Sequence, residues 1–69
     1  MKRPMIRLNR DKLYLAMARK KLDRGDLAKL TELSKSTINT VFSRLTCKPK
    51  TAGIIADALG VDVTEIIED

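Results

Sequence analysis

The alternation of apolar and polar positions divides the chain into short helical segments. Four times, an apolar residue precedes a helix-capping residue, and a second apolar residue follows four positions after the cap, where it can pack back on the first. The capping and packing residues are Asn9 with Leu13, Asp23 with Leu27, Ser34 with Ile38, and Asp62 with Ile66. The pattern predicts helices over about residues 10–20, 24–31, 35–44 and 63–68, each beginning directly after its cap.

A further helix is predicted between Pro49 and Gly60. Proline suits the first turn of a helix, and glycine suits the position after the last turn. Residues 46–50 are predicted to be a loop that leads into this helix, and Cys47 is a free, inert thiol within it. Residues 1–8 precede the first cap and are either a basic N-terminal arm or a short extended segment. We therefore expect residues 9–69 to form a single all-α domain of five short helices.

Helical spacing also predicts a core that is almost entirely aliphatic, because the chain contains only one Tyr and one Phe. The residues expected to face inward are Leu13, Ala16, Met17, Leu27, Ala28, Leu30, Ile38, Val41, Phe42, Leu45, Ile55, Ala58, Leu59, Ile66 and Ile67. A chain of 69 residues is near the lower limit for a domain stabilised by one such core.

The third predicted helix has two chemically different sides. At 3.6 residues per turn, its large apolar residues fall within one sector of roughly 100°. The opposite side carries Lys35, Ser36, Asn39, Thr40, Ser43 and Arg44, with Thr37 at its margin. These donors and acceptors have the sizes that reach base edges and phosphates. A merely solvated helix face is the alternative interpretation.

Charge and composition limit the classes of function. All 14 Lys and Arg residues lie within residues 1–50, whereas residues 51–69 contain five acidic residues and no basic one. This asymmetry favours a basic surface that binds a polyanion. Histidine is absent and Cys47 is the only cysteine, so an intrachain disulfide is excluded and a metal site would lack ligands. We expect no enzyme activity, no metal, no cofactor and no small-molecule substrate.

The distribution of apolar residues argues against export and membrane insertion. No apolar run follows the basic start as in a signal peptide, and no stretch approaches the ~20 apolar residues of a membrane span. We therefore expect a cytoplasmic protein that is not associated with a membrane.

Residues 13–67 resemble the Cro/CI-type (XRE-like) helix-turn-helix family of phage and bacterial repressors. The resemblance rests on the pair Leu27–Ala28, the run LSKSTI at residues 33–38, Val41, and the run IADALGVD at residues 55–62. It implies a compact lambda-repressor-like domain whose second and third helices form the helix-turn-helix. It also implies sequence-specific binding of double-stranded DNA, with the third helix in the major groove.

The same resemblance assigns roles to individual residues. The base-reading set it implies is Lys35, Ser36, Thr37, Asn39 and Thr40. Asn39 could pair with adenine and Lys35 with guanine, and the methyl group of Thr37 or Thr40 could touch thymine. The phosphate-binding set it implies is Arg24, Ser43, Arg44, Thr46, Lys48 and Lys50.

Three residues depart from the family's pattern, and the first is Lys21, which stands where glycine often ends the first helix. Glu32 stands in the turn where the family prefers glycine, and a left-handed backbone there would cost about 1–2 kcal/mol. Phe42 replaces a residue that is usually polar, so it either extends the core or forms a partly exposed contact in a dimer.

The resemblance implies a small transcriptional regulator that is phage-like or belongs to a mobile element. We expect it to act like a repressor and to consist of a single domain. Its partner would be a pseudo-palindromic operator, bound by a weak homodimer whose surface lies near the connection between the fourth and fifth helices. The alternative is a protein-binding module on the same scaffold, an antitoxin or an anti-repressor.

Overall fold

A computed structural model of the chain describes residues 5–68, which form a helical domain with one small sheet. In chain order its elements are β1 (Ile6–Arg7), α1 (Arg10–Lys20), α2 (Arg24–Thr31), α3 (Lys35–Arg44), β2 (Thr46–Cys47), α4 (Pro49–Leu59) and a 3-10 turn (Val63–Glu65).

The four predicted caps are present, and each begins its element at the expected residue. The Asn9 side chain accepts a hydrogen bond from the backbone N–H of Lys12 at 2.9 Å. The Ser34 hydroxyl accepts from the backbone N–H of Thr37 at 3.1 Å. Asp23 and Asp62 form reciprocal capping boxes with the acidic residue three positions later. Local polar chemistry therefore determines where these elements start.

Three of the helices end on a non-glycine residue with a left-handed backbone. These residues are Lys21, Glu32 and Leu45, with φ values of 56°, 60° and 56°. The left-handed conformation expected for Glu32 is thus present, and each such residue costs about 1–2 kcal/mol relative to glycine. The fourth helix, α4, ends on Gly60 at φ 69°, which carries no such cost.

Residues 46–50 are not the loop that the sequence predicted. Thr46 and Cys47 pair in antiparallel register with Arg7 and Ile6, and α4 already begins at Pro49. Cys47 is free, as expected, but it is 4% exposed and lies in a strand. Its burial raises the pKa of the thiol. The proposed basic arm includes Lys2 and Arg3, which lie outside the described residues.

The structure confirms a mostly helical fold but not the five helices or the absence of strands that the sequence predicted. Within residues 5–68 there are four α-helices, because the predicted last helix is reduced to the 3-10 turn. Ile67 forms a β-bridge with Leu8, and the N–H of Glu68 donates to the Arg7 carbonyl at 2.9 Å. This pairing requires extended backbone, so the helix cannot continue to residue 68.

The core lies where α2 packs against both α3 and α4. Ala28 is buried at this crossing, and Phe42 is 3% exposed, which places it in the core. Leu30 was predicted to face inward but is 57% exposed, because it lies two positions beyond Ala28 and therefore on the other side of α2. Leu45, Ala58 and Ile67 are only partly buried. Four core residues were not predicted: Leu8, Cys47, Ala52 and Ala56.

Candidate nucleic-acid interface

The polar side of α3 is exposed along the whole helix. Ile38, Val41 and Phe42 are buried, with exposures of 1%, 4% and 3%. Every polar residue on the opposite side is exposed: Lys35, Ser36, Thr37, Asn39, Thr40, Ser43 and Arg44. The amphipathic pattern thus presents a continuous strip of hydroxyl, amide and cationic groups to solvent.

Two hydroxyl groups of this strip already have partners within the protein. The Ser34 hydroxyl donates to Thr37 Oγ1 at 2.9 Å, and the Thr40 hydroxyl donates to the Ser36 carbonyl at 2.9 Å. Because the hydroxyl proton of Thr40 is donated to the backbone, Thr40 can offer its methyl group and the acceptor lone pairs of its oxygen outward.

A shallow surface depression brings together five of the predicted residues. Its lining is Ser36, Asn39, Thr40, Ser43 and Arg44. Lys35 is not part of it and instead lines a separate depression with Asp23, Asp26 and Lys29. Lys35 is therefore in a more acidic environment than the other residues predicted to read bases.

Arg24, at the first position of α2, reaches across to α3. Its Nη1 donates to Asn39 Oδ1 at 3.4 Å, and its Nη2 donates to Tyr14 Oη at 3.0 Å. Its Cζ lies 4.8 Å from the centroid of the Phe42 ring, within the range of a cation–π contact. The structure thus joins one predicted phosphate ligand to one predicted base reader, and it adds Tyr14, which the sequence analysis did not assign.

The carboxylates beside Arg24 in the sequence are engaged elsewhere. Asp23 accepts from the backbone N–H of Asp26 at 2.8 Å, and Asp26 accepts from the N–H of Asp23 at 3.1 Å. The backbone hydrogen bond from Asp26 is the main cause that holds the pKa of Asp23 below its ordinary value. Within residues 5–68, no carboxylate forms an ion pair with Arg24, so its charge is not neutralised.

The remaining predicted phosphate ligands lie at or beyond the C-terminal end of α3. Arg44, Lys48 and Lys50 are exposed and have no hydrogen bond or ion pair from their side chains within the described part of the chain. Thr46 is half-buried, and together with Arg44 and Arg7 it lines a depression that also includes Glu68.

Arg7 belongs to the N-terminal segment for which the sequence analysis left two alternatives, a basic arm or an extended segment, and the sheet brings it to this flank. It is paired directly with Thr46, which sets its side chain on the same face of the ribbon. A strand of two residues gives no periodic signal, and nothing in the sequence indicated its partner.

A helix-turn-helix whose second helix exposes a polar strip, flanked by unpaired cations, defines the class of small DNA-binding proteins. Residues 12–69 match the family of the Cro/C1-type HTH DNA-binding domain. The chain belongs to this family, whose members bind double-stranded DNA and typically act as transcriptional regulators.

One solved structure is similar in fold: a hydroxyethylphosphonate dioxygenase variant, with a TM-score of 0.76 and 23% sequence identity. The similarity covers 93% of this chain and 14% of that one, so it concerns the fold alone. No curated protein matches the chain significantly. In the part of the chain that the structure describes, no helix is long and apolar enough to cross a membrane.

Proposed function

We propose that this chain binds double-stranded DNA sequence-specifically, as a small phage-like or mobile-element transcriptional regulator. The observation that carries the proposal is the exposed polar strip of α3 with the un-neutralised guanidinium of Arg24 beside it. In a helix-turn-helix, the second helix lies in the major groove and the first crosses the DNA backbone. In this chain α3 reads the bases and α2 contacts phosphate.

The base readers of the proposal are Lys35, Ser36, Thr37, Asn39 and Thr40. Asn39 presents an amide, the group that pairs with adenine. Thr40 presents its methyl group, which suits contact with thymine, because its hydroxyl proton is committed to Ser36. Lys35 donates to guanine.

The phosphate ligands of the proposal are Arg24, Ser43, Arg44, Thr46, Lys48 and Lys50, and we add Arg7. The start of α4 supports this flank, because its cap, Lys48, makes no side-chain capping bond and Pro49 occupies the first turn. The first backbone N–H groups of α4 therefore remain available to an anion.

The proposal extends to assembly and mechanism. Two copies associate weakly on a pseudo-palindromic operator with half-sites about 10–10.5 bp apart, and they regulate transcription by occupying it. The protein acts on the bacterial nucleoid, without catalysis, cofactor or small-molecule substrate.

A salt titration of binding to a selected operator tests the proposal. If five or six phosphates are neutralised, log K against log [salt] should have a slope of about −5. The operator comes from selection on a random duplex library, which also reports site symmetry. A DNA affinity that is independent of salt, together with tight binding to a partner protein, would contradict the proposal and favour the antitoxin or anti-repressor alternative.

Paired substitutions test the separate roles of α3 and its flank. Asn39→Ala should reduce discrimination at one base position by about 1–3 kcal/mol. Lys48→Ala should weaken binding to all sequences alike, because a phosphate contact carries no sequence information. Equal effects of both substitutions on operator and random DNA would contradict the assignment of α3 as the reading helix.

A further inference from the structure

The two aromatic residues of the chain both contact the same guanidinium. The sequence contains one Tyr and one Phe, and Arg24 donates to the Tyr14 hydroxyl at 3.0 Å while lying 4.8 Å from the centroid of Phe42. The two rings meet edge to face, with centroids 5.7 Å apart and an angle of 64° between their planes. Side chains from α1, α2 and α3 therefore meet at Arg24.

Within residues 5–68, the side chains that bond to or stack on this guanidinium are uncharged. Tyr14 offers a hydroxyl, Phe42 a ring face, and Asn39 an amide oxygen. These contacts restrict the side chain of Arg24 without cancelling its charge. Of its five N–H donors, those not used by Tyr14 and Asn39 remain for a phosphate oxygen. A cation held in position in this way loses less conformational entropy when it binds.

Arg24 also determines which way the amide of Asn39 faces. A guanidinium only donates, so the atom of Asn39 that faces it is the acceptor Oδ1, at 3.4 Å. The NH₂ group is therefore turned away from Arg24, and Oδ1 keeps a second lone pair. Reading adenine requires both atoms, since Asn accepts from the N6 amino group and donates to N7.

We propose that Tyr14 is a positioning residue for base recognition: its hydroxyl holds Arg24, and Arg24 in turn orients the amide of Asn39. The proposal rests on the proposed function, since it concerns the same DNA-reading surface. It assigns to α1, which is not part of the helix-turn-helix, a role in sequence discrimination.

Tyr14→Phe tests this role, because it removes the hydroxyl and keeps the ring that packs on Phe42. Affinities are measured for the selected operator, for the operator changed at the base pair that Asn39→Ala identifies, and for a random duplex. Discrimination at that base pair should fall by about three- to tenfold, the effect expected from losing one hydrogen bond of ordinary net strength. Binding to the random duplex should fall less than binding to the operator, because a loosened phosphate contact weakens both alike, whereas the misoriented Asn39 amide affects only the operator.

The same substitution in an Arg24→Ala background is the matched control. If Tyr14 acts through Arg24, Tyr14→Phe should have no further effect on discrimination there. An effect that persists without Arg24, or equal losses on operator and random DNA, would overturn the proposal.

A measurement on the free protein separates this proposal from the proposed function. In NMR spectra without DNA, Tyr14→Phe should shift both the Arg24 side-chain N–H signals and the Asn39 side-chain NH₂ signals. Leu15→Ala, at the neighbouring exposed position of α1, should shift neither. Unchanged Asn39 signals in Tyr14→Phe would overturn the positioning role whether or not the protein binds DNA. Absence of DNA binding by the unmodified protein would instead refute the proposed function.

Discussion

The cations beside α3 form two groups in different states of order. Arg24 is held by Tyr14 of α1 and by Asn39 and Phe42 of α3. At and beyond the C-terminal end of α3, the side chains of Arg44, Lys48 and Lys50 make no hydrogen bond or ion pair within residues 5–68. The first region has a defined geometry, whereas the second consists of cations on unrestrained side chains.

Under the proposed function, this difference predicts that sequence discrimination and overall DNA affinity depend on different residues. Discrimination between bases requires atoms at fixed positions, because hydrogen bonds depend steeply on distance and angle. Attraction to phosphate requires only positive charge close to the DNA, and flexible side chains provide it. We expect the ordered group around Arg24 to control specificity and the unrestrained cations to supply affinity.

The largest effect is expected from removing the unrestrained cations together. In the triple variant Arg44→Ala, Lys48→Ala and Lys50→Ala, the slope of log K against log [salt] should decrease in magnitude by about three, since each lost phosphate contact contributes about 0.9. Affinity at low salt should fall by orders of magnitude, while the ranking of operator variants remains the same. A salt titration on several operator variants measures both quantities.

Three cations elsewhere on the surface provide the control for this experiment. Arg19, Lys20 and Lys29 are also exposed, and their replacement by alanine removes the same formal charge. A comparable loss of slope in that variant would show that net charge alone matters and would eliminate the distinction between the two groups of cations.

The residues that flank α3 offer a smaller test, on stability. Glu32 and Leu45 both have left-handed backbone, but Glu32 is exposed and Leu45 packs against the core. Glu32→Gly should therefore stabilise the fold by up to about 1 kcal/mol, or roughly 4–8 °C in Tm. Leu45→Gly should destabilise it, because lost apolar packing outweighs the relieved strain. Thermal unfolding of both variants is the measurement, and a destabilised Glu32→Gly would contradict the expectation.

The smallest effect is expected from the carboxylate cap beside Arg24. The pKa of Asp23 is below its ordinary value because the backbone N–H of Asp26 donates to it. A carboxylate whose pKa is lowered on folding contributes stability that is fully present above about pH 4 and is lost as the pH falls through the folded pKa. Asp23→Asn caps the helix equally well and does not titrate.

Denaturant unfolding at several pH values measures this contribution. Above pH 5, the variant should match the unmodified protein in its free energy of unfolding. Below about pH 4, the variant should lose less stability. At the start of α4, where no side chain caps the helix, no such dependence is expected. Identical acid profiles for the two proteins would contradict the account of Asp23.

The parts of the fold that depend on neighbours in the sequence were predictable. Asn9, Asp23, Ser34 and Asp62 each cap the backbone within three residues, so the starts of four elements could be located from local chemistry. The ribbon of β1 and β2 could not be predicted, because its strands are too short for a period-two pattern. Leu30 was misassigned because, in a helix of eight residues, the apolar stripe is defined by only two buried side chains.

In the candidate site, too, the features set by neighbouring residues were predictable and those set by distant residues were not. The exposure of Ser36, Asn39 and Thr40 follows from helical periodicity, which places them opposite Ile38 and Val41. The contacts of Arg24 with Tyr14 and Asn39 join residues 10 and 15 positions apart. Such contacts depend on how the helices cross, and a single sequence carries no local signal for that geometry.

The ribbon between β1 and β2 also has a consequence for the order of folding. The N–H of Leu8 donates to the Leu45 carbonyl, and the N–H of Asn9 donates to that of Ile66. These bonds close long loops of chain, so the chain loses conformational entropy before the contacts that stabilise the closed form are made. We expect the helices to assemble first and the segment at residues 6–9 to dock last, so that refolding ends when Leu8 enters the core.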